Sequence, residues 1–186
     1  MSEQGFTVWV TGPEPRDVDD VVSLLVGNLT GRQLTVETID ARTPGVSGLD
    51  DAIAGAAVVL ARYMQILTPR LIDRYPFRIV NIHPSLLPYH PGSNAYKQAW
   101  EEGVRVSGCT AHFVTEQLDA GPVVLQDVFH IRVGEDALED VKARGRALEG
   151  KVLSQAVQLF LNDQLVVKDK KVIFRPGRFQ GATAAS

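Results

Sequence analysis

The sequence is poor in the features that would tie it to an oxidising compartment, a membrane or a nucleic acid. It holds a single cysteine, Cys109, among 186 residues. That excludes an internal disulfide and any cysteine-based metal cluster. The longest apolar runs fall far short of the ~20 residues a membrane span needs. No charged segment followed by an apolar stretch opens the chain, so no export signal is visible. Lysine- or arginine-rich runs are missing too. With 19 basic residues, 22 acidic ones and a net charge of −3, no nucleic-acid partner is expected. His83, His90, His112 and His130 show no i,i+3 or i,i+4 spacing, so no metal site is expected either. Internal repeats and interdomain linkers are absent. At 45% hydrophobic and 22% charged, the chain reads as one cytoplasmic globular domain with an ordinary core. That domain is expected over residues 1–175, with a small, polar, flexible tail at 176–186.

What the chain does hold is an alternation of strand-like and helix-like stretches. Residues 6–11 alternate and are rich in β-branched side chains, which predicts a first strand. Gly12-Pro13-Glu14-Pro15 predicts a turn. Asp17 then caps a helix to about Asn28, with Val21, Val22, Leu24 and Leu25 on one face. A second strand covers 33–39, a loop 41–49, and a short helix runs from about Leu49 to Ala54. The continuous apolar run 57–62 has the pattern of a strand buried on both faces. Thr68-Pro69 starts a helix to about Arg74, and a strand follows at 77–82. After a loop at 84–93, Asn94 caps a helix to about Glu102. Strands at 105–114 and 122–132 come next, then a long helix opened by Glu135 or Asp136 and reaching about Leu161. Residues 165–167 and 172–174 form a hairpin. This order predicts an α/β fold with a mostly parallel sheet covered on both faces and an antiparallel excursion late in the sheet.

The chemistry-bearing residues concentrate in 77–122. Asn81 and His83 sit where a buried strand should run out, and Pro84 and Pro88 keep a helix from following directly. In a parallel α/β sheet, ligands bind beyond the carboxyl ends of the strands. The strand ending near Val114 runs into a loop closed by Gly121-Pro122, which can return Asp119 to His83. A carboxylate near an imidazole favours its protonated form. An asparagine amide beside an imidazolium aims N–H donors at one point, which suits an oxyanion on an attacked carbonyl. Neither a Gly-x-Ser-x-Gly elbow nor a reactive cysteine setting occurs. The expected chemistry is direct attack by an external nucleophile on an acyl carbon, without a covalent enzyme intermediate.

Taken singly, these residues also have plainer readings. A histidine near a strand end is commonly a hydrogen-bonded structural residue, and an aspartate before Gly-Pro commonly serves a turn. His112 reads as half-buried and structural, Cys109 as a small core residue, and His90 as an exposed loop residue.

Asn81-Ile82-His83-Pro84-Ser85-Leu86-Leu87-Pro88, then Gly92, then Gly108-Cys109-Thr110-Ala111-His112-Phe113-Val114, then Leu118-Asp119-Ala120-Gly121-Pro122-Val123-Val124-Leu125-Gln126, closely resembles the formyltetrahydrofolate-dependent formyltransferases. The resemblance runs from about Val58 to Phe174. It implies a three-layer formyltransferase-like fold and 10-formyltetrahydrofolate as one-carbon donor. Asn81 and His83 would polarise the formyl oxygen and stabilise the oxyanion. Asp119 would keep His83 protonated and move protons through water. Thr110 and His112 match second-tier positions lining the site. Met64, Gln65, Ile66 and Leu67, with the loop residues Thr115, Glu116, Gln117 and Leu118, match walls of the pterin pocket. Gln65 stands where relatives often carry a basic residue.

Two branches are similar. Ala61–Leu67, Tyr96–Ala99, Gly145–Ser154 and the terminal hairpin look like formyltetrahydrofolate deformylase, which transfers formyl to water. That enzyme usually has a second histidine where Pro84 stands, and an additional N-terminal regulatory domain. Pro84 instead looks like glycinamide ribonucleotide formyltransferase. In that branch a Gly/Ser-rich loop after the first strand holds a phosphate. Here the turn carries Pro13, Pro15, Glu14 and Asp17, which disfavours a phosphorylated acceptor. Relative to both branches, the N-terminal half looks shortened by about one βα unit. The leading expectation is formyl transfer to an amine of a small, non-phosphorylated acceptor. The alternatives are hydrolysis with water as acceptor, and a folate-binding protein without turnover. A homodimer is left open.

Overall fold

The computed structural model describes residues 6–12, 22–23, 34–40, 57–60, 67 and 69–175. Strand β1 (Phe6–Gly12) lies between β2 (Leu34–Asp40) and β3 (Ala57–Leu60), parallel to both. Helix α1 (Pro69–Arg74) leads to β4 (Ile79–His83), which continues the sheet parallel to β3. Helix α2 (Ala95–Glu101) follows, and the chain then returns in the opposite sense. Strand β5 (Val106–Phe113) is antiparallel to β4, and β6 (Val123–His130) is antiparallel to β5. The sheet order is β2-β1-β3-β4-β5-β6. This is the mostly parallel α/β sheet with a late antiparallel strand that the sequence predicts. Along the sequence, the described strand β2 falls between β1 and β3.

Helix α3 (Leu138–Leu161) packs across β3 to β6. Its buried face is Val141, Val152, Leu153, Ala156, Val157 and Leu161, set at the three- and four-residue spacing of one helical stripe. Val80, Ile82, Cys109, Ala111 and Phe113 rise from the sheet into the same cluster. These are alternate residues of β4 and β5, so a strand's period of two commits the intervening residues to the opposite face. That opposite face carries the site. Helix α2 packs on α3 through Tyr96. A methyl on Gly145 would fall 2.2 Å from Tyr96 Cζ, so the approach depends on a glycine there. Strands β7 (Leu165–Lys168) and β8 (Lys171–Phe174) form the expected hairpin.

Several boundaries differ from the sequence reading. Strand β4 starts at Ile79, because Phe77 adopts a left-handed φ of 56° that interrupts extended pairing. It runs through His83, so Asn81 and His83 lie within the strand. Asn94 precedes α2 but makes no side-chain cap bond among the described residues; its φ is 60° and its carbonyl accepts the Gln98 N–H. Helix α3 starts at Leu138, and neither Glu135 nor Asp136 opens it. The Asp136 carboxylate is taken up by the Arg132 backbone N–H and by the guanidinium groups of Arg132 and Arg144. Asp140 serves the helix start instead, accepting the Ala137 N–H at 3.0 Å. The helices expected at 17–28 and 49–54 lie outside the described residues, apart from Val22 and Ser23, which are helical. The tail at 176–186 lies outside them too.

Candidate active site

Antiparallel register places Asn81 opposite His112 and His83 opposite Thr110. Directly paired residues share a face, so these four side chains form a polar patch on the side of the sheet away from α3. His83, Thr110 and His112 are buried, with 4%, 0% and 2% of their surface exposed.

Two loops close over the patch. The first, 84–93, is fastened by Thr110. Its hydroxyl donates to the Ser85 carbonyl at 2.7 Å and accepts the Leu87 N–H at 3.1 Å. The Gln126 amide donates to the same hydroxyl at 2.8 Å and to the Leu87 carbonyl at 3.1 Å. The second loop returns from β5 to β6 and carries Asp119 at a left-handed φ of 51°. Aspartate tolerates that conformation better than most residues. A methyl on Gly121 would lie 1.7 Å from the Phe113 carbonyl oxygen, so a side chain is excluded where this loop crosses the end of β5. Asp119 is therefore a turn residue whose carboxylate reaches the polar patch.

The Asp119 carboxylate is 7% exposed. Its Oδ2 accepts the Gly92 N–H at 3.0 Å and lies 3.4 Å from His83 Nδ1. Its Oδ1 lies 3.9 Å from His112 Nε2. On the other side of His83, Nε2 donates to the His90 carbonyl at 3.0 Å. Both ring nitrogens of His83 thus face oxygen acceptors.

Burial lowers the pKa of His112 from 6.5, outweighing the Phe113 carbonyl and Asp119, so the neutral ring is favoured. With Nδ1–H donating to the Phe113 carbonyl at 3.1 Å, Nε2 is left as an acceptor. The Asn81 amide meets it, Nδ2 to Nε2, at 3.4 Å. That fixes which end of the amide faces His112. One Asn81 N–H remains, and Asn81 Oδ1 is buried with no partner among the described residues. Such an orphan acceptor costs about 1–3 kcal/mol until a donor reaches it.

The structure brings Asn81, His83, Asp119, Thr110 and His112 together. Thr115 is half-buried, with its hydroxyl donating to the Gln117 carbonyl at 3.2 Å. Glu116, Gln117 and Leu118 are exposed next to Asp119. Leu67 is half-buried, and Met64, Gln65 and Ile66 lie outside the described residues. Two plain readings are corrected. His112 is fully buried, because it sits on a central strand under the Asp119 loop. His90 is half-buried, its ring bonded to Glu102 at 2.8 Å and its carbonyl bonded to His83. Sequence reasoning missed the parts of His90, Glu102 and Gln126. A backbone carbonyl leaves no residue-type signal, and neither Glu102 nor Gln126 carries one for a tertiary contact. Cys109 is a core residue as expected, with burial pushing its thiol pKa up. Among the described residues no cluster of His, Cys, Asp and Glu is placed to hold a metal, and no helix is long and apolar enough to cross a membrane.

A family model described as formyl transferase matches residues 33–157. Formyltetrahydrofolate deformylase of Bacillus subtilis is 47% identical over 116 residues, which are 62% of this chain and 38% of that protein. Phosphoribosylglycinamide formyltransferase of Haemophilus influenzae is 42% identical over 128 residues, covering 65% of this chain and 60% of that one. The chain therefore spans well under two thirds of the first of these relatives. The crystal structure of a formyltetrahydrofolate deformylase from Pseudomonas syringae superposes with a TM-score of 0.77 at 29% identity, over 93% of this chain and 66% of that chain. The three-layer formyltransferase-like α/β fold is thereby shown. Matched by the model over most of its length, the chain belongs to the formyl transferase family.

Proposed function

We propose that the chain moves the formyl group of 10-formyltetrahydrofolate to an external nucleophile at the Asn81/His83/Asp119 site. The observation that carries this reading is the juxtaposition of the buried His83–Asp119 pair with the Asn81 amide, whose orientation His112 fixes. The folate supplies the activated formyl carbon. Asn81 offers its remaining N–H to the oxygen as negative charge develops, and the His83 imidazolium, held against Asp119, stabilises that charge electrostatically. Asp119 receives the proton released by the nucleophile and returns it, through water, to the departing nitrogen. The orphaned Asn81 Oδ1 supports the fit, since a ligand or water donor would satisfy it. Leu118, 69% exposed beside Asp119, offers an apolar surface for a heteroaromatic ring. Met64, Gln65, Ile66 and Leu67, with Thr115, Glu116 and Gln117, are assigned to the same pocket. Thr110 acts behind the site by holding the loop.

Two nucleophiles are carried. An amine on a small, non-phosphorylated acceptor is the first, favoured by the sequence Pro13-Glu14-Pro15-Arg16-Asp17, which is short of N–H donors and carries two acids. Water is the second, favoured by the likeness to proteins named deformylases. We place the reaction in the cytoplasm, where the buried single thiol stays reduced. The deciding experiment incubates the protein with 10-formyltetrahydrofolate and no amine, then with a panel of amines. Formate release without amine establishes hydrolysis. Tetrahydrofolate formed on amine addition alone establishes transfer. Folate binding with no turnover under any acceptor overturns both and leaves a binding protein.

A further inference from the structure

The proposed chemistry makes no use of the side chains of His90 and Glu102, yet together they hold the acceptor of one His83 nitrogen. Three observations bear on this pair. First, His90 has a φ of 50°, a left-handed conformation uncommon for residues other than glycine. In that conformation its carbonyl accepts the His83 Nε2–H at 3.0 Å. Second, Glu102 sits at the C-terminal end of α2, where the helix dipole disfavours a carboxylate and the last turn has no basic residue. Its carboxylate meets His90 Nε2 at 2.8 Å, which offsets that placement. Third, the end of α2 is a firm base. Trp100 Nε1–H donates to the Asp136 carbonyl at 2.9 Å, and the Val104 N–H bonds back to Ala99 at 3.2 Å.

We propose that Glu102, acting through His90, is a positioning residue for His83: it holds the His90 carbonyl where it fixes the His83 ring with its opposite nitrogen turned to Asp119. The loop serves both partners at once, because Gly92, two residues beyond His90, donates its N–H to Asp119. Releasing His90 therefore frees one end of the His83 ring and loosens the clamp on the carboxylate. The kinetic consequence rests on the formyl-transfer reading; the structural consequence does not. The Glu102 side chain is 58% exposed. A pair of that kind shifts a conformational equilibrium by no more than about fivefold.

The test compares Glu102→Ala, Glu102→Gln and Glu101→Ala. Glu101 is the neighbouring acid, paired with Lys97 and not with His90. In 15N-edited NMR of the histidine rings, Glu102→Ala should raise the exchange rate of the His83 Nε2–H by about two- to fivefold. Glu102→Gln keeps a carbonyl acceptor for His90 and should restore most of the protection, while Glu101→Ala should leave it unchanged. With 10-formyltetrahydrofolate, Glu102→Ala should lower kcat by a similar factor with KM nearly constant. An unaltered His83 signal in Glu102→Ala, or an equal change in Glu101→Ala, overturns the proposal whatever turnover does. Absent turnover in the unmodified protein overturns the formyl-transfer reading while the NMR arm still decides the positioning role. Should Glu102→Ala fail to fold, His90→Asn accommodates the left-handed backbone without the imidazole. It should raise the His83 Nε2–H exchange rate by a similar factor, and an unchanged rate would refute the relay.

Discussion

Replacing Thr110 by valine exchanges a hydroxyl for a methyl at nearly constant volume, at a residue with no exposed surface. The hydroxyl has two buried partners in loop 84–93, the Ser85 carbonyl and the Leu87 N–H, and both residues are themselves buried. Valine would leave both groups without a partner. Each buried orphan costs about 1–3 kcal/mol, so the pair should cost about 2–6 kcal/mol. The third partner, Gln126, is exposed and can turn to water. Thr110→Ser keeps the hydroxyl and loses a methyl, which should cost about 1 kcal/mol. Equilibrium urea unfolding followed by circular dichroism measures both variants against the parent. Valine should be clearly the worse of the two although it preserves the packing volume better. The same loop supplies the His90 carbonyl to His83 and the Gly92 N–H to Asp119, so kcat should fall in Thr110→Val and hold in Thr110→Ser. A valine variant within about 1 kcal/mol of the parent, or a serine variant as damaging as valine, would show that hydroxyl pairing does not hold the loop.

Asn81→Ala should lose ~10²–10³ in kcat with folding intact, the usual cost of a positioned oxyanion donor, and His83→Ala should also lower kcat clearly by removing the ring held against Asp119; near-full turnover in either would refute the assigned roles. Gly121→Ala should displace the Asp119 loop, because its methyl would fall 1.7 Å from the Phe113 carbonyl oxygen. Turnover should then drop even at temperatures where the variant stays folded. Buried His112 stays neutral in the folded state below its ordinary pKa of 6.5. As pH falls through that value the unfolded chain takes up the proton first, so stability should decline from about pH 6.5 downward until the folded ring also protonates. His112→Gln removes this contribution, and urea unfolding at pH 7.5 and 5.5 should then differ less than in the parent.

The amino-acid order already contained the strand pattern, the antiparallel return after β4 and the grouping of Asn81, His83 and Asp119. These are legible because they rest on local chemistry. Alternation sorts Val80, Ile82, Cys109, Ala111 and Phe113 to the core and Asn81, His83, Thr110 and His112 to the other face. Residue type and a long motif supply the rest. Helix starts were less legible. Asp136 looks like a cap by type, yet it is bound by two arginines, Arg132 and Arg144, one of them eight residues away on α3.

Other features belong to the folded chain alone. The protonation preference of His112 follows from burial, which sequence does not state, and the orientation of the Asn81 amide follows from that preference. The His90 carbonyl reaches His83 because loop 84–93 curls back under Thr110 and Glu102. Backbone acceptors and desolvation are properties of place, whereas periodicity and motif are properties of order. The sequence therefore named the groups of the candidate site, and tertiary packing decided how they are oriented and buried.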